Sequence, residues 1–221
     1  MAVTTRRGFQ EQLADLQHEI LRMGTLVEET IDKAVRSLRD RNADLARQVI
    51  AGDDRIDQLM LEIERQCLEL IALQQPLAGD LRVIGTALKI ITDLERMADH
   101  AINIARTTLR LEGEQLIKPL VDIPRMAELV MAMTRDALQA YVKRDTGLAA
   151  GLEGRDDEID NLYRRVFDEL EELMKKDPGN IRQGLQLLLV ARDLERVADH
   201  VTNLGEWVIY MVTGERRVLN D

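Results

Sequence analysis

Eight residues are written twice in this chain, DLERMADH at 93–100 and DLERVADH at 193–200, 100 residues apart. Each copy holds two acids four residues apart, Glu95 with Asp99 and Glu195 with Asp199. On a helix that spacing stacks both carboxylates on one face. Two more pairs share it, Asp53 with Asp57 in GDDRIDQL and Asp156 with Asp160 in RDDEIDNL, and these blocks lie 103 residues apart. Clustered carboxylates repel one another and are costly to desolvate, so a set of them requires a compensating positive charge. Oxygen-only donors suit hard or borderline cations: iron, manganese, magnesium, calcium or zinc. Coordination is the chemistry these residues point to.

The elements that must position the acids are helices. Leu13, Leu16, Ile20, Met23, Val27, Ile31, Ala34 and Leu38 recur at steps of three and four over 9–40. Leu45, Val49, Ile56, Met60, Ile63, Cys67, Leu70 and Ile71 keep that period over 43–74, with Asn42 a candidate cap. Pro76 and Gly79 mark a turn before a third helix over about 78–112, which carries the first repeated phrase. Residues 113–124, GEQLIKPLVDIP, lack periodicity and form a linker. Helical patterning resumes at 125–144, 147–176 and 179–213, with a turn at Asp177–Asn180 and a tail at 214–221. The expected fold is all-α: two tandem, duplicated antiparallel three-helix bundles with six long helices, the units spanning 9–112 and 125–213. Arg82 and Arg182 also repeat at the offset of 100, and a shorter turn in the second unit accounts for the two offsets.

Antiparallel neighbours fix which acids meet. A turn centred on Pro76 places Asp57 opposite Glu95 and Asp53 opposite Asp99. A centre between Asp177 and Pro178 does the same for Asp160 with Glu195 and Asp156 with Asp199. Four acids per unit are thus expected at one height, about 30 Å from the turn. The stripe of Leu81, Ile84, Leu88 and Ile91 leads into Glu95 and Asp99, and that of Ile181, Leu188 and Ala191 into Glu195 and Asp199. Asp53 and Asp57 align with Met60, Leu61, Leu68 and Ile71. The acids therefore fall at positions expected to face the core.

Two plainer readings compete: a salt-bridge network fed by arginines, and a solvated groove of exposed acids. Arg96 and Arg196 lie about 100° round the helix from their neighbouring glutamates and are poorly aimed at the same point. The duplication and the matched heights favour metal. His100 and His200 rotate off the acid face, towards a surface or structural role. Asn103 and Asn203 continue that face by one turn and could position a ligand or water. Glu28 and Asp32 sit at a suitable height but have Met131 and Arg135 as counterparts, while Asp54 and Asp157 lie further round the helix. The methionines fall at core spacing.

Composition closes off other functions. Forty acids against thirty bases, a net charge of −10, argue against non-specific binding to nucleic acid or an anionic membrane. The single cysteine, Cys67, has no intrachain disulfide partner and reads as a core residue. The apolar runs LQLLLVA and WVIYMV are short of the ~18 residues of a membrane span, and MAVTTRRGFQEQ lacks a signal peptide's apolar stretch. A cytoplasmic protein with no direct membrane insertion is expected.

DLERMADHAINIA, DLERVADHVTNLGE, QPLAGDLRVIGTALKI and the two DDxID segments together resemble the PhoU family of phosphate-uptake regulators, over nearly the whole chain. The resemblance implies two similar three-helix bundles whose E(D)xxxD motifs bind multinuclear iron or zinc clusters in some members. On matching positions the ligands would be Asp53, Asp57, Glu95 and Asp99, then Asp156, Asp160, Glu195 and Asp199; all eight are acids. It also implies a non-enzymatic negative regulator of phosphate uptake, a cytoplasmic homodimer working with a phosphate ABC transporter and a sensor histidine kinase. Gly205 stands where the second motif often has Ile or Ala, a departure expected to have little consequence. The alternatives are a carboxylate-bridged metalloenzyme or metal-storage protein, whose Glu-x-x-His spacing is absent here, and a purely structural helical adaptor.

Overall fold

The computed structural model describes residues 2–219, with side chains from Gly8 onward. The apolar periodicity resolves into α1 (Ala2–Arg39), α2 (Ala43–Ala51), α3 (Asp53–Gln74), α4 (Ala78–Arg110), α5 (Asp122–Lys143), α6 (Thr146–Ala150), α7 (Glu153–Lys176) and α8 (Ile181–Thr213), with no strand among the described residues. The long helices α1, α3 and α4 pack as one antiparallel bundle, and α5, α7 and α8 as the other. Short α2 and α6 are the front ends of the expected second and fifth helices, cut off at Gly52 and at Gly151–Leu152. Both breaks fall just upstream of an aspartate pair.

The duplication extends into the turns. Arg41 and Arg144 both adopt positive φ, 52° and 54°, and end α1 and α5. The residues that follow them cap the next helix: Asn42 accepts from the Leu45 amide, and Asp145 from those of Gly147 and Leu148. The second unit's turn is not shorter, contrary to expectation; the lost residues come from α8, which starts nearer to Glu195 than α4 does to Glu95. Gln75, Pro76 and Leu77 separate α3 from α4, whereas Asp177 alone leaves α7 before a 3-10 turn at Pro178–Asn180 runs into α8. The Asp177 carboxylate accepts from the Gly179 amide at 2.9 Å and holds that turn.

The stretch between the units is not a loose tether. The Gln183 side chain accepts from the Ile117 amide at 2.5 Å and donates to the Gln115 carbonyl at 2.9 Å. Helix α5 starts at Asp122, ahead of Pro124, because a proline in the first turn has no intrahelical amide bond to lose.

The two bundles share the antiparallel pair α4 and α8. Arg82 Nε, at the start of α4, donates to the Met211 carbonyl near the end of α8 at 3.3 Å. Its repeat mate does the reciprocal job: Arg182 Nη2 donates to the Arg110 carbonyl at the end of α4 at 3.1 Å. Each arginine thus brings a cation to the negative end of the other helix. Thr86 Oγ1, donating to the Trp207 carbonyl at 3.4 Å, keeps the same register.

Gly205 is where the expectation of little consequence fails. A Cβ there would lie 3.0 Å from the Ala149 carbonyl oxygen, 2.9 Å from Leu152 Cδ1 and 3.1 Å from Leu219 Cδ1. Its bare Cα lets α6 lie against α8, and lets the tail fold back until the Leu219 amide donates to Glu206 at 2.9 Å. We expect Gly205→Ile to destabilise the fold by about 2–3 kcal/mol through overpacking. Chemical denaturation of the purified variant measures this, and a change below about 0.5 kcal/mol would contradict the packing described.

Candidate functional site

Each unit gathers its acids where its second and third long helices face each other. Asp53 is the first residue of α3, so its carboxylate sits at a helix N-terminus, and Asp57 follows one turn later. Glu95 and Asp99 come from the middle of α4, Asp156 and Asp160 from the first two turns of α7, and Glu195 and Asp199 from α8.

The electrostatics show which acids meet. Burial raises the Asp53 carboxyl above its ordinary value, and the charges of Asp57 and of Asp99 across the helix pair add to it. Glu95 is raised by burial and then by Asp99, with Asp57 and Asp53 contributing from α3 and Arg96 opposing. In the second unit burial, followed by the charges of Asp199, Asp160 and Glu195, pushes Asp156 up to about 7. Glu195 is raised by burial, then by Asp199, with Asp160 adding and Arg196 opposing. The turn arithmetic paired Asp53 with Asp99, Asp57 with Glu95, Asp156 with Asp199 and Asp160 with Glu195. All four pairs are electrostatic neighbours across their helix pair.

The acids do not lie on the core stripe, however. The buried residues of α3 are Ile56, Leu59, Ile63, Cys67 and Leu70, while Leu61 and Leu68 point outward, 58% and 54% exposed. Leu81 and Ile181 are exposed as well. The carboxylates line the flank of the core, half-buried for Glu95 and Glu195 and open to solvent for Asp57. Among the described residues, no group of three His, Cys, Asp or Glu side chains stands close enough to hold an ion.

Arg96 and Arg196 reach further than the helical wheel allows. Arg96 lies 3.5 Å from Glu95 and 3.6 Å from Asp99, and Arg196 lies 3.6 Å from Glu195 and 3.1 Å from Asp199. A long side chain can bridge 100° of helix surface, so the arginines partly neutralise each pair. Both are about half exposed, which makes these contacts weak and easily exchanged for another cation. In the second unit Arg164, also exposed, lies 3.5 Å from Asp160. As a donor set, four carboxylates at a flank faced by exchangeable arginines fit a hard cation.

Other residues settle into structural contacts. Glu28 pairs with Arg135 of α5 at 2.5 Å, and Asp32 with Arg36 at 3.3 Å. Asn103 accepts from Arg106 at 3.0 Å, and Asn203 donates to Asp93 at 3.4 Å. His100 Nδ1 donates to Asp193 at 2.9 Å, and His200 Nδ1 to Asp93 at 2.9 Å, across α4 and α8. The histidines have a structural role, as expected, but Asp93 and Asp193 were overlooked as their partners. The available signal was the spacing of seven in both copies, which sets Asp93 with His100, and Asp193 with His200, on one face.

A PhoU domain matches residues 20–108 and 123–208. The chain is 42% identical to the phosphate-specific transport system accessory protein PhoU homolog of Clostridium acetobutylicum, over 98% of this chain and all of that one. It is 43% identical to the homolog from Aquifex aeolicus, over 93% of each. The crystal structure of PhoU from Pseudomonas aeruginosa superposes with a TM-score of 0.88 at 36% identity, covering 94% of this chain and all of that one. The phosphate transport system regulatory protein PhoU from Streptococcus pneumoniae gives 0.87 at 33% identity, covering 95% and 99%.

The raised Asp156 carboxyl fixes the sign of a pH effect. Its value of about 7 in the folded chain stands above the ~3.9 of an unfolded aspartate, so the folded state binds more protons between these limits. Stability of the cation-free protein therefore falls as pH rises from about 4 to about 7, and the full penalty is present above that. Screening of a group still in touch with solvent reduces that penalty to about 1–2 kcal/mol. Asp156→Asn should raise the cation-free protein's unfolding free energy by this amount at pH 8 and leave it unchanged near pH 4. Equal gains at both pH values would refute the assignment.

Proposed function

The chain belongs to the PhoU family, and from that premise we propose that it is an accessory regulator of a phosphate-specific transport system. It restrains phosphate uptake and the phosphate-starvation response without catalysing a reaction, as a cytoplasmic homodimer. Its partners are components of the phosphate ABC transporter and a sensor histidine kinase. The observation that carries this reading is end-to-end similarity to relatives whose names state an accessory or regulatory role. Large apolar side chains left in solvent support work by contact: Leu61, Leu68 and Leu81 in the first unit, Phe167, Leu185 and Leu189 in the second. Among the described residues no helix is long and apolar enough to cross a membrane, which agrees with docking onto a transporter rather than insertion beside it. Deletion of the gene in phosphate-rich medium should derepress phosphate-starvation genes, and unchanged transcript levels would count against the regulator.

We further propose that Asp53, Asp57, Glu95 and Asp99 hold one set of cations and Asp156, Asp160, Glu195 and Asp199 another. Iron or zinc in multinuclear form comes first, with manganese, magnesium or calcium as substitutes. A bound cation supplies positive charge that the clustered carboxylates otherwise draw from half-exposed arginines, Arg96 in the first unit and Arg196 and Arg164 in the second. The chain's own residues do the rest: α3 with α4, and α7 with α8, present the oxygens at one height, and the arginines swing aside into solvent. Elemental analysis after reconstitution should find metal in the native protein and about half as much in the Glu95→Gln, Asp99→Asn variant. Equal metal in both, or none in either, would remove the proposal.

A further inference from the structure

The repeated phrase contains more chemistry than its coordinating acids use. Asp93 and His100 of α4 face Asp193 and His200 of α8, and each histidine donates from Nδ1 to the other helix's aspartate at 2.9 Å. The rings lie 5.8 Å apart, tilted by 37°, and Asn203 gives Asp93 a second donor at 3.4 Å. All four side chains are between 14% and 24% exposed, so breaking one bond would strand a polar group with poor access to water.

Glu95 and Asp99 share the same two turns of α4 with Asp93 and His100, and Glu195 and Asp199 share theirs with Asp193 and His200. No three acids are yet close enough to hold an ion among the described residues, so closing on one requires these turns or their side chains to move. A helical turn moves largely as a unit, and here it is tied by two reciprocal hydrogen bonds to the turn carrying the other acids. Resting on the cation reading proposed above, we propose that Asp93, His100, Asp193 and His200 are positioning residues that couple the two carboxylate clusters, so that the state of one sets the affinity of the other.

The test is a double-mutant cycle on the full chain, read by electron paramagnetic resonance of free Mn²⁺. Disabling the second cluster with Glu195→Gln and Asp199→Asn should shift the first cluster's Mn²⁺ affinity by about fivefold or more, the usual lower range of site-to-site coupling. The same disabling made on top of His100→Ala and His200→Ala should give no shift. His100→Asn with His200→Asn, whose amide nitrogen takes the place of Nδ1 and keeps a donor to each aspartate, should restore it. A second readout needs no metal: disabling the second cluster should alter amide hydrogen exchange over residues 93–103 in the native background but not in the double-alanine background. No shift in the native background, or a shift that survives double alanine, overturns the coupling. If the native protein binds none of Mn²⁺, Fe²⁺ and Zn²⁺, the cation reading fails and hydrogen exchange alone decides the coupling.

Discussion

The antiparallel seating of α4 on α8 is the interaction on which the rest depends. It makes two three-helix bundles into one molecule and places the two copies of the DLERxADH phrase at mid-height against each other. One phrase then serves two faces of its helix. Its Glu and second Asp look toward the helix beside it in its own unit, and its first Asp and its His look across to the other copy. The ends of the pair are held by Arg82 and Arg182, each supplying charge to the other helix's last turn. Duplication explains why this works: an antiparallel pairing of two like helices makes the aspartate–histidine and arginine–carbonyl contacts twice.

The acids are tolerated because the fold stops short of burying them. Four carboxylates inside a dry core would cost far more than any helix pair could offset, and they would be neutral at physiological pH. On the flank they remain partly hydrated, with an arginine at 3.1–3.6 Å, yet still raise one another's proton affinity. The compromise leaves a site that carries negative charge, faces solvent and is only loosely neutralised.

Much of this was legible in the residues, for identifiable reasons. Helices and turns followed from apolar spacing and from Pro76 and Asp177–Pro178, and antiparallel geometry then fixed which acids would be neighbours. The wheel misled where it treated every apolar residue as core: Leu61 and Leu68 share a face with Asp57, but that face looks outward. It also gave Arg96 and Arg196 the reach of a Cβ rather than of a side chain. What no single-helix pattern carries is contact between the units. The Asp93–His200 and Asp193–His100 bonds depend on how two bundles dock, which periodicity within either one does not encode.

Nor are the two clusters copies in their physical state. The offset of 103 brings Asp53 and Asp156 into register, but α3 begins at Asp53 while α7 begins three residues ahead of Asp156, at Glu153. Asp53 is therefore the first residue of its helix, where exposed amides and the helix dipole favour a negative charge. Asp156 lies deeper in its first turn, more shielded from water, and the charges of Asp199, Asp160 and Glu195 bear on it. Burial first, and then those three charges, give Asp156 the stronger demand for a proton. The duplicated phrase thus sets up two carboxylate clusters of the same composition and unequal electrostatics, with the histidine–aspartate bonds between them.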